Sequence, residues 1–132
     1  MQIEVLDSWA IIAWLNGEPA AGLVRQRLEA ADNKAVTLLF SAINAGEIYY
    51  LLAKRSSLQV AETWLGRAAS LPIRILVPRL DDVFGAAKLK AQFAISYADA
   101  FAASLAMKHA APLVTGDKEF EKVQGLRLSW IA

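Results

Sequence analysis

Residues 3–8 read Ile-Glu-Val-Leu-Asp-Ser. Ile3–Leu6 is a short apolar run of the kind that forms a buried strand. Asp7 and Ser8 carry the side chains that favour a helix N-cap, so the strand gives way to a helix at once. Downstream the pattern returns. Ala35–Phe40 is a second strand, and Ser41 caps a helix to about Arg55, with Ile43, Glu47, Tyr50, Leu51 and Lys54 assigned to one face. Ile73–Val77 follows Pro72 as a third strand, and Asp81 or Asp82 opens a helix to about Phe93. Pro112–Thr115 is a fourth strand, with Gly116-Asp117 and a helical turn through Phe120 and Val123 behind it. Leu126–Trp130 is the last strand.

Helices fill the intervals. Trp9–Leu15 runs to the turn Asn16-Gly17-Glu18-Pro19. Ala20 to about Ala31 carries Leu23, Val24, Arg27 and Leu28 at helical spacing, and Leu58–Ala69 carries Val60, Trp64 and Leu65. An alanine-rich helix starts at Ser96-Tyr97-Ala98-Asp99 and ends near Ala110. Strands that alternate with helices predict an α/β fold: a three-layer α/β/α sandwich with a mainly parallel central sheet of four to five strands. Right-handed crossovers bring the C-terminal strand ends to one rim, where open α/β sheets bind ligands.

Bulk properties narrow the class. A chain of 132 residues, 56% of them apolar, suffices for one domain spanning 1–132 with its own core. No cysteine is present, which removes disulfides, thiol chemistry and thiolate metal sites, and fits a cytoplasmic location. The start of the chain lacks a basic leader followed by an apolar run, and no stretch has the ~18 apolar residues of a membrane span. A net charge of +1 argues neither for nor against nucleic acid.

The acidic residues are more telling. Asp7 directly follows the first strand and Asp117 follows the fourth by one glycine, so both belong on the ligand rim. Glu47 lies about two turns into its helix, on the stripe with Ile43 and Leu51, where an unpaired carboxylate is costly. Asp99 falls in the first turn of the alanine-rich helix. Carboxylates gathered in this way repel one another unless a cation offsets them, and hard divalent cations take oxygen ligands. His109 is the only histidine, so no histidine pair offers a zinc site. Structural roles stand beside this reading. Asp7 and Asp117 suit N-caps, Ser96-x-x-Asp99 matches a capping box, and Glu47 suits an ion pair. Ser8 and Thr115 could orient a carboxylate or serve only as capping hydroxyls. His109 suits a helix C-terminus, the four tryptophans the core or an interface, and Lys54, Arg55, Lys88 and Lys90 a solvated face.

Four stretches in this order carry a family likeness: Val5-Leu-Asp-Ser8, Ser41-Ala-Ile-Asn-Ala-Gly-Glu47, Ser96-Tyr-Ala-Asp-Ala100 and Leu113-Val-Thr-Gly-Asp-Lys-Glu-Phe120. Together with the ending Val123–Trp130, they make nearly the whole chain resemble the PIN domain, and more closely the small VapC-type toxins of prokaryotic toxin–antitoxin pairs. The resemblance implies an endoribonuclease that depends on Mg²⁺ or Mn²⁺. Asp7, Glu47, Asp99 and Asp117 would be the metal ligands, supported by Ser8 and Thr115. It further implies an RNA substrate, a homodimer and a cognate antitoxin whose tail enters the acidic groove. Glu119 would be an extra acid or a solvent-facing one, and Gly116 replaces a residue that is often polar in relatives.

Rival readings are weaker or less specific. Haloacid-dehalogenase-like chemistry needs a second aspartate two residues after the first, where this chain has Trp9. A response-regulator receiver wants a different placement of acids, since the second strand here ends in Phe40-Ser41. A catalytically silent binding or scaffold domain would keep the fold without using the acids.

Overall fold

The computed structural model of the chain describes residues 2–132. Strand β1 (Gln2–Leu6) leads into helices α1 (Ser8–Leu15) and α2 (Ala21–Asp32), and β2 (Val36–Ser41) into α3 (Ala42–Arg55) and α4 (Leu58–Ala68). Strand β3 (Arg74–Leu76) leads into α5 (Leu80–Gln92) and α6 (Tyr97–Lys108). Strand β4 (Leu113–Thr115), a 3₁₀ turn (Lys118–Lys122) and β5 (Leu128–Trp130) complete the chain. The sheet has five strands in the order β3-β2-β1-β4-β5, all parallel.

Local chemistry sets the boundaries. Asp7, Ser41, Ser57 and Ser96 are N-caps whose side chains accept backbone N–H bonds. Gly17, just past α1, has φ +63°, a left-handed conformation that suits a residue without a Cβ. The two edge strands, β3 and β5, are shorter than predicted at three residues each. Each pairs on one side only, so less of its backbone is held in a ladder.

Alternation along the central strands splits the core in two. Val5, Leu39 and Leu113 face α5 and α6, packing on Leu89, Ala100, Phe101 and Ala103. Leu6, Leu38, Phe40 and Val114 face α1 to α4, packing on Ile11, Val24, Ile48 and Trp64. This is the expected three-layer sandwich. Ala100, Ala102, Ala103 and Ala106 of α6 are fully buried; such small side chains let a helix lie close on its neighbours.

Two helical faces differ from the sequence reading. The buried face of α3 is Asn44, Ile48 and Leu52, while Ile43, Tyr50 and Lys54 are exposed. The buried positions of α4 are Ala61 and Trp64, with Val60 and Leu65 exposed. Within β1, Glu4 is a buried charge inside the apolar run. The Arg27 guanidinium of α2 grips it with two bonds, Nε to Oε1 at 2.9 Å and Nη2 to Oε2 at 2.6 Å.

Candidate active site

The strand order places a switch point between β1 and β4. The chain leaves β1 toward β2 and β3, then returns to the other side of β1 with β4. Crossover helices diverge there and leave a crevice at the C-terminal strand ends. All the candidate site residues lie around it.

Leu6 pairs with Val114, so Asp7 and Thr115 lie side by side at the strand ends. The Thr115 hydroxyl donates to Asp7 Oδ2 at 2.5 Å and accepts the Asp117 backbone N–H at 3.0 Å. Asp7 Oδ1 accepts from the Ala10 N–H at 2.9 Å, so Asp7 does cap α1. Asp117 caps the 3₁₀ turn by accepting the Glu119 N–H at 3.0 Å. The capping roles are therefore real, and they fix both carboxylates on the crevice floor and rim.

Glu47 comes in from α3 and Asp99 from α6. The Ser8 hydroxyl donates to Glu47 Oε1 at 2.5 Å, with the Asn44 carbonyl oxygen 3.3 Å away. Among the described residues no ion pair engages Glu47. Ser96 accepts the Asp99 N–H at 3.1 Å, but the return bond of a capping box from the Asp99 carboxylate is not made. That carboxylate instead lines an open cleft of about 280 Å³ with Glu47, Asp117, Ser8 and Ser96. Asp7 lies beneath this cleft, 1% exposed.

The electrostatics show a surplus of negative charge. Burial pushes the Asp7 carboxyl up to about 7, with Asp99 and Asp117 adding to the rise and the Thr115 and Ala10 bonds opposing it. Burial also lifts Asp99 to about 6, helped by Asp117 and Glu47. Among the described residues, the ion pairs engage Glu4, Asp81, Asp82 and Glu119, and none engages Asp7, Glu47, Asp99 or Asp117. Among the described residues, no three acidic or histidine side chains are gathered closely enough to hold a metal ion as they stand. Glu47, Asp99 and Asp117 present an all-oxygen donor set around the cleft, the donor type that hard divalent cations take.

Further residues complete the cleft. Trp9, Ile12 and Leu51 form its apolar wall, and Glu18 and Arg55 its charged edge. Helical spacing alone places Trp9 and Arg55 on core or solvated faces, so nothing in the sequence marks them for this role. Gly116 shows why Trp9 lies where it does. A Cβ at Gly116 would collide with Trp9 Cη2 and come 2.6 Å from the Ala132 Cβ. Glu119 faces solvent and pairs with Lys122 at 2.6 Å. His109 is the exposed C-cap residue of α6.

The PIN-domain family model matches residues 5–126. The chain belongs to the PIN-domain family. The match spans β1 to the approach to β5, and so covers all four carboxylates of this PIN domain. No curated protein sequence matches the chain. Among solved structures, it is similar to VapBC2 from Rickettsia felis bound to a promoter DNA fragment, at 24% identity and TM-score 0.76, covering 97% of this chain and 98% of that one. DNA-bound VapBC from Salmonella typhimurium gives 19% identity and TM-score 0.76, with all of both chains covered. The Mycobacterium tuberculosis toxin VapC20, which cleaves the sarcin–ricin loop, gives 18% identity and TM-score 0.70 over 91% of this chain and 93% of that one. These likenesses establish the PIN fold over the whole chain.

Proposed function

We propose that this PIN domain is an endoribonuclease dependent on Mg²⁺ or Mn²⁺, the toxin of a VapBC-type pair. One observation carries the reading. Carboxylates from the β1 end, α3, α6 and the β4 end meet in and beneath one crevice, and among the described residues no cationic side chain is paired to them. A bound divalent cation would offset that charge, polarise a scissile phosphodiester and lower the pKa of a bound water.

The chain's own residues prepare the site. Glu47, Asp99 and Asp117 offer oxygens at the cleft wall, and Asp7 offers charge from below. Ser8 holds the Glu47 carboxylate, and Thr115 ties Asp7 to the Asp117 backbone. Water is the nucleophile and the 3′-oxygen leaves, so the products are a 5′-phosphate and a 3′-hydroxyl. Trp9 and Arg55 supply an aromatic face and a positive charge beside the carboxylates, suited to a nucleobase and a flanking phosphate. By the same reading the protein acts in the cytoplasm as a homodimer and is held inactive by its cognate antitoxin, whose tail fills the cleft.

The test is cleavage of a panel of structured RNAs by purified protein, with product ends mapped. Cleavage needs added Mg²⁺ or Mn²⁺, stops in EDTA and falls in Asp7→Asn and Glu47→Gln. Products ending in 2′,3′-cyclic phosphate, or full cleavage in excess EDTA, overturn the proposal. Folded protein that neither cleaves RNA nor binds Mn²⁺ is a silent scaffold domain.

A further inference from the structure

Asn44 is the one large polar side chain buried in the α3 face that meets the sheet, and none of its surface is exposed. Its Nδ2 donates to the Ala98 carbonyl of α6 at 3.1 Å. Its Oδ1 is buried with no hydrogen-bond partner among the described residues. Its own backbone oxygen lies 3.3 Å from the Ser8 hydroxyl that holds Glu47. The packing that covers the sheet does not require this. Helix α3 belongs to the layer on one face of the sheet and α6 to the layer on the other. The two meet only beyond the strand ends, and Asn44 bonds across that meeting.

A buried orphan oxygen is unfavourable, and native structures keep few of them. The Ala98 carbonyl does not need Asn44, since it lies within α6 and can accept the usual helical bond. An apolar side chain of the same size would thus remove the orphan and leave no other. The stability of the fold gives no reason for an amide here. The site does. Asn44 precedes Glu47 by almost one turn of α3, and Ala98 immediately precedes Asp99. The bond therefore joins the two helices at the residues that set how far Glu47 stands from Asp99.

We infer that Asn44 is a positioning residue: its amide clamps α3 to the first turn of α6, and this fixes the Glu47–Asp99 spacing that sets the affinity for the divalent cation. The inference rests on the proposed metal-dependent reading of the cleft. Residues that orient metal ligands change affinity by about 10-fold to 100-fold when lost.

The experiment is calorimetric titration of Mn²⁺ alone into wild type and Asn44→Leu, without RNA, beside thermal unfolding of both metal-free proteins. The expected result is a Kd for Mn²⁺ raised at least about 10-fold, while the metal-free Tm is unchanged or higher. Asn44→Ala, which imposes no new shape on the junction, is read in the same way if the leucine variant does not fold. Equal Kd values for wild type and variant overturn the role of Asn44. Wild type that binds no Mn²⁺ overturns the metal reading itself, so the two failures are distinct.

Discussion

Asp7 and Asp99 are acids held in a place that disfavours their charge, and this has a consequence for pH. Burial lifts Asp7 to about 7 and Asp99 to about 6, from an ordinary value of 3.8. Between the unfolded and the folded pKa the native state binds more protons than the unfolded chain, so metal-free stability falls as pH rises. The loss begins near pH 4 and is complete just above pH 7. For the buried Asp7 it approaches about 1.4 kcal/mol for each pH unit in that window, and it is smaller for Asp99, whose partly exposed charge is screened by water. Metal-free Tm is therefore expected to drop steadily from pH 5 to pH 7 and to level off above it. Asp7→Asn keeps an acceptor for the Ala10 N–H and should flatten most of that slope. On the proposed metal-dependent reading, Mn²⁺ should reverse the trend, since carboxylate ligands must lose their protons to bind and the added stability would grow with pH. A metal-free Tm that rises over this range would mean that the crevice carries no surplus of negative charge. At this scale the sequence was informative but ambiguous. Asp7 and Asp117 satisfy the rule for an N-cap and the rule for a strand-end ligand together; both caps are made, and the Thr115 hydroxyl links the two residues at the crevice. Asn44 was invisible, because nothing in its spacing tells an inward amide from an exposed one.

Elements are joined by contacts that the periodicity of the chain does not reveal. Glu4 stands in a strand that reads as apolar, and its partner Arg27 lies on a helix whose pattern reads as amphipathic. Removing the arginine leaves the buried Glu4 carboxylate without its partner, at less than the about 3–5 kcal/mol of a fully buried pair because the Arg27 side chain is 35% exposed. Arg27→Met should destabilise by about 1–3 kcal/mol in urea unfolding, and the double variant with Glu4→Met should recover most of it. The β4 end makes a second joint. Alanine at Gly116 would collide with Trp9, and overpacking of this kind costs about 1–3 kcal/mol. Gly116→Ala is expected to lose that much and to shift the tryptophan fluorescence, while Trp9→Leu in the same chain relieves part of the loss. Additive effects of the two changes would show that the indole does not press on that strand end. The order and type of the elements followed from apolar runs and caps. The short β3 and β5 did not, because edge strands depend on neighbours that the local sequence does not name.

The whole molecule is built so that distant parts of the chain meet at one place. Asp7 comes at the start, Glu47 and Asp99 from helices on opposite layers, and Asp117 from the last third of the sequence. A cation shared among them would connect β1, α3, α6 and the β4 end, so its binding energy should be felt by the fold as a unit rather than by one loop. A ligand that binds only the native state adds about 2.7 kcal/mol at a hundred times its Kd. For a domain of this size that corresponds to a rise in Tm of about 6–15 °C. Saturating Mn²⁺ is expected to produce such a shift in one cooperative transition. Hydrogen exchange should slow most at the start of α1, mid-α3, the first turn of α6 and residues 115–119. Protection confined to one of these segments would mean that a single carboxylate holds the ion. Protection of all four, lost together in Glu47→Gln while the direct Asn44–Ala98 bond between α3 and α6 is kept, would mean that the crevice acts as a single centre.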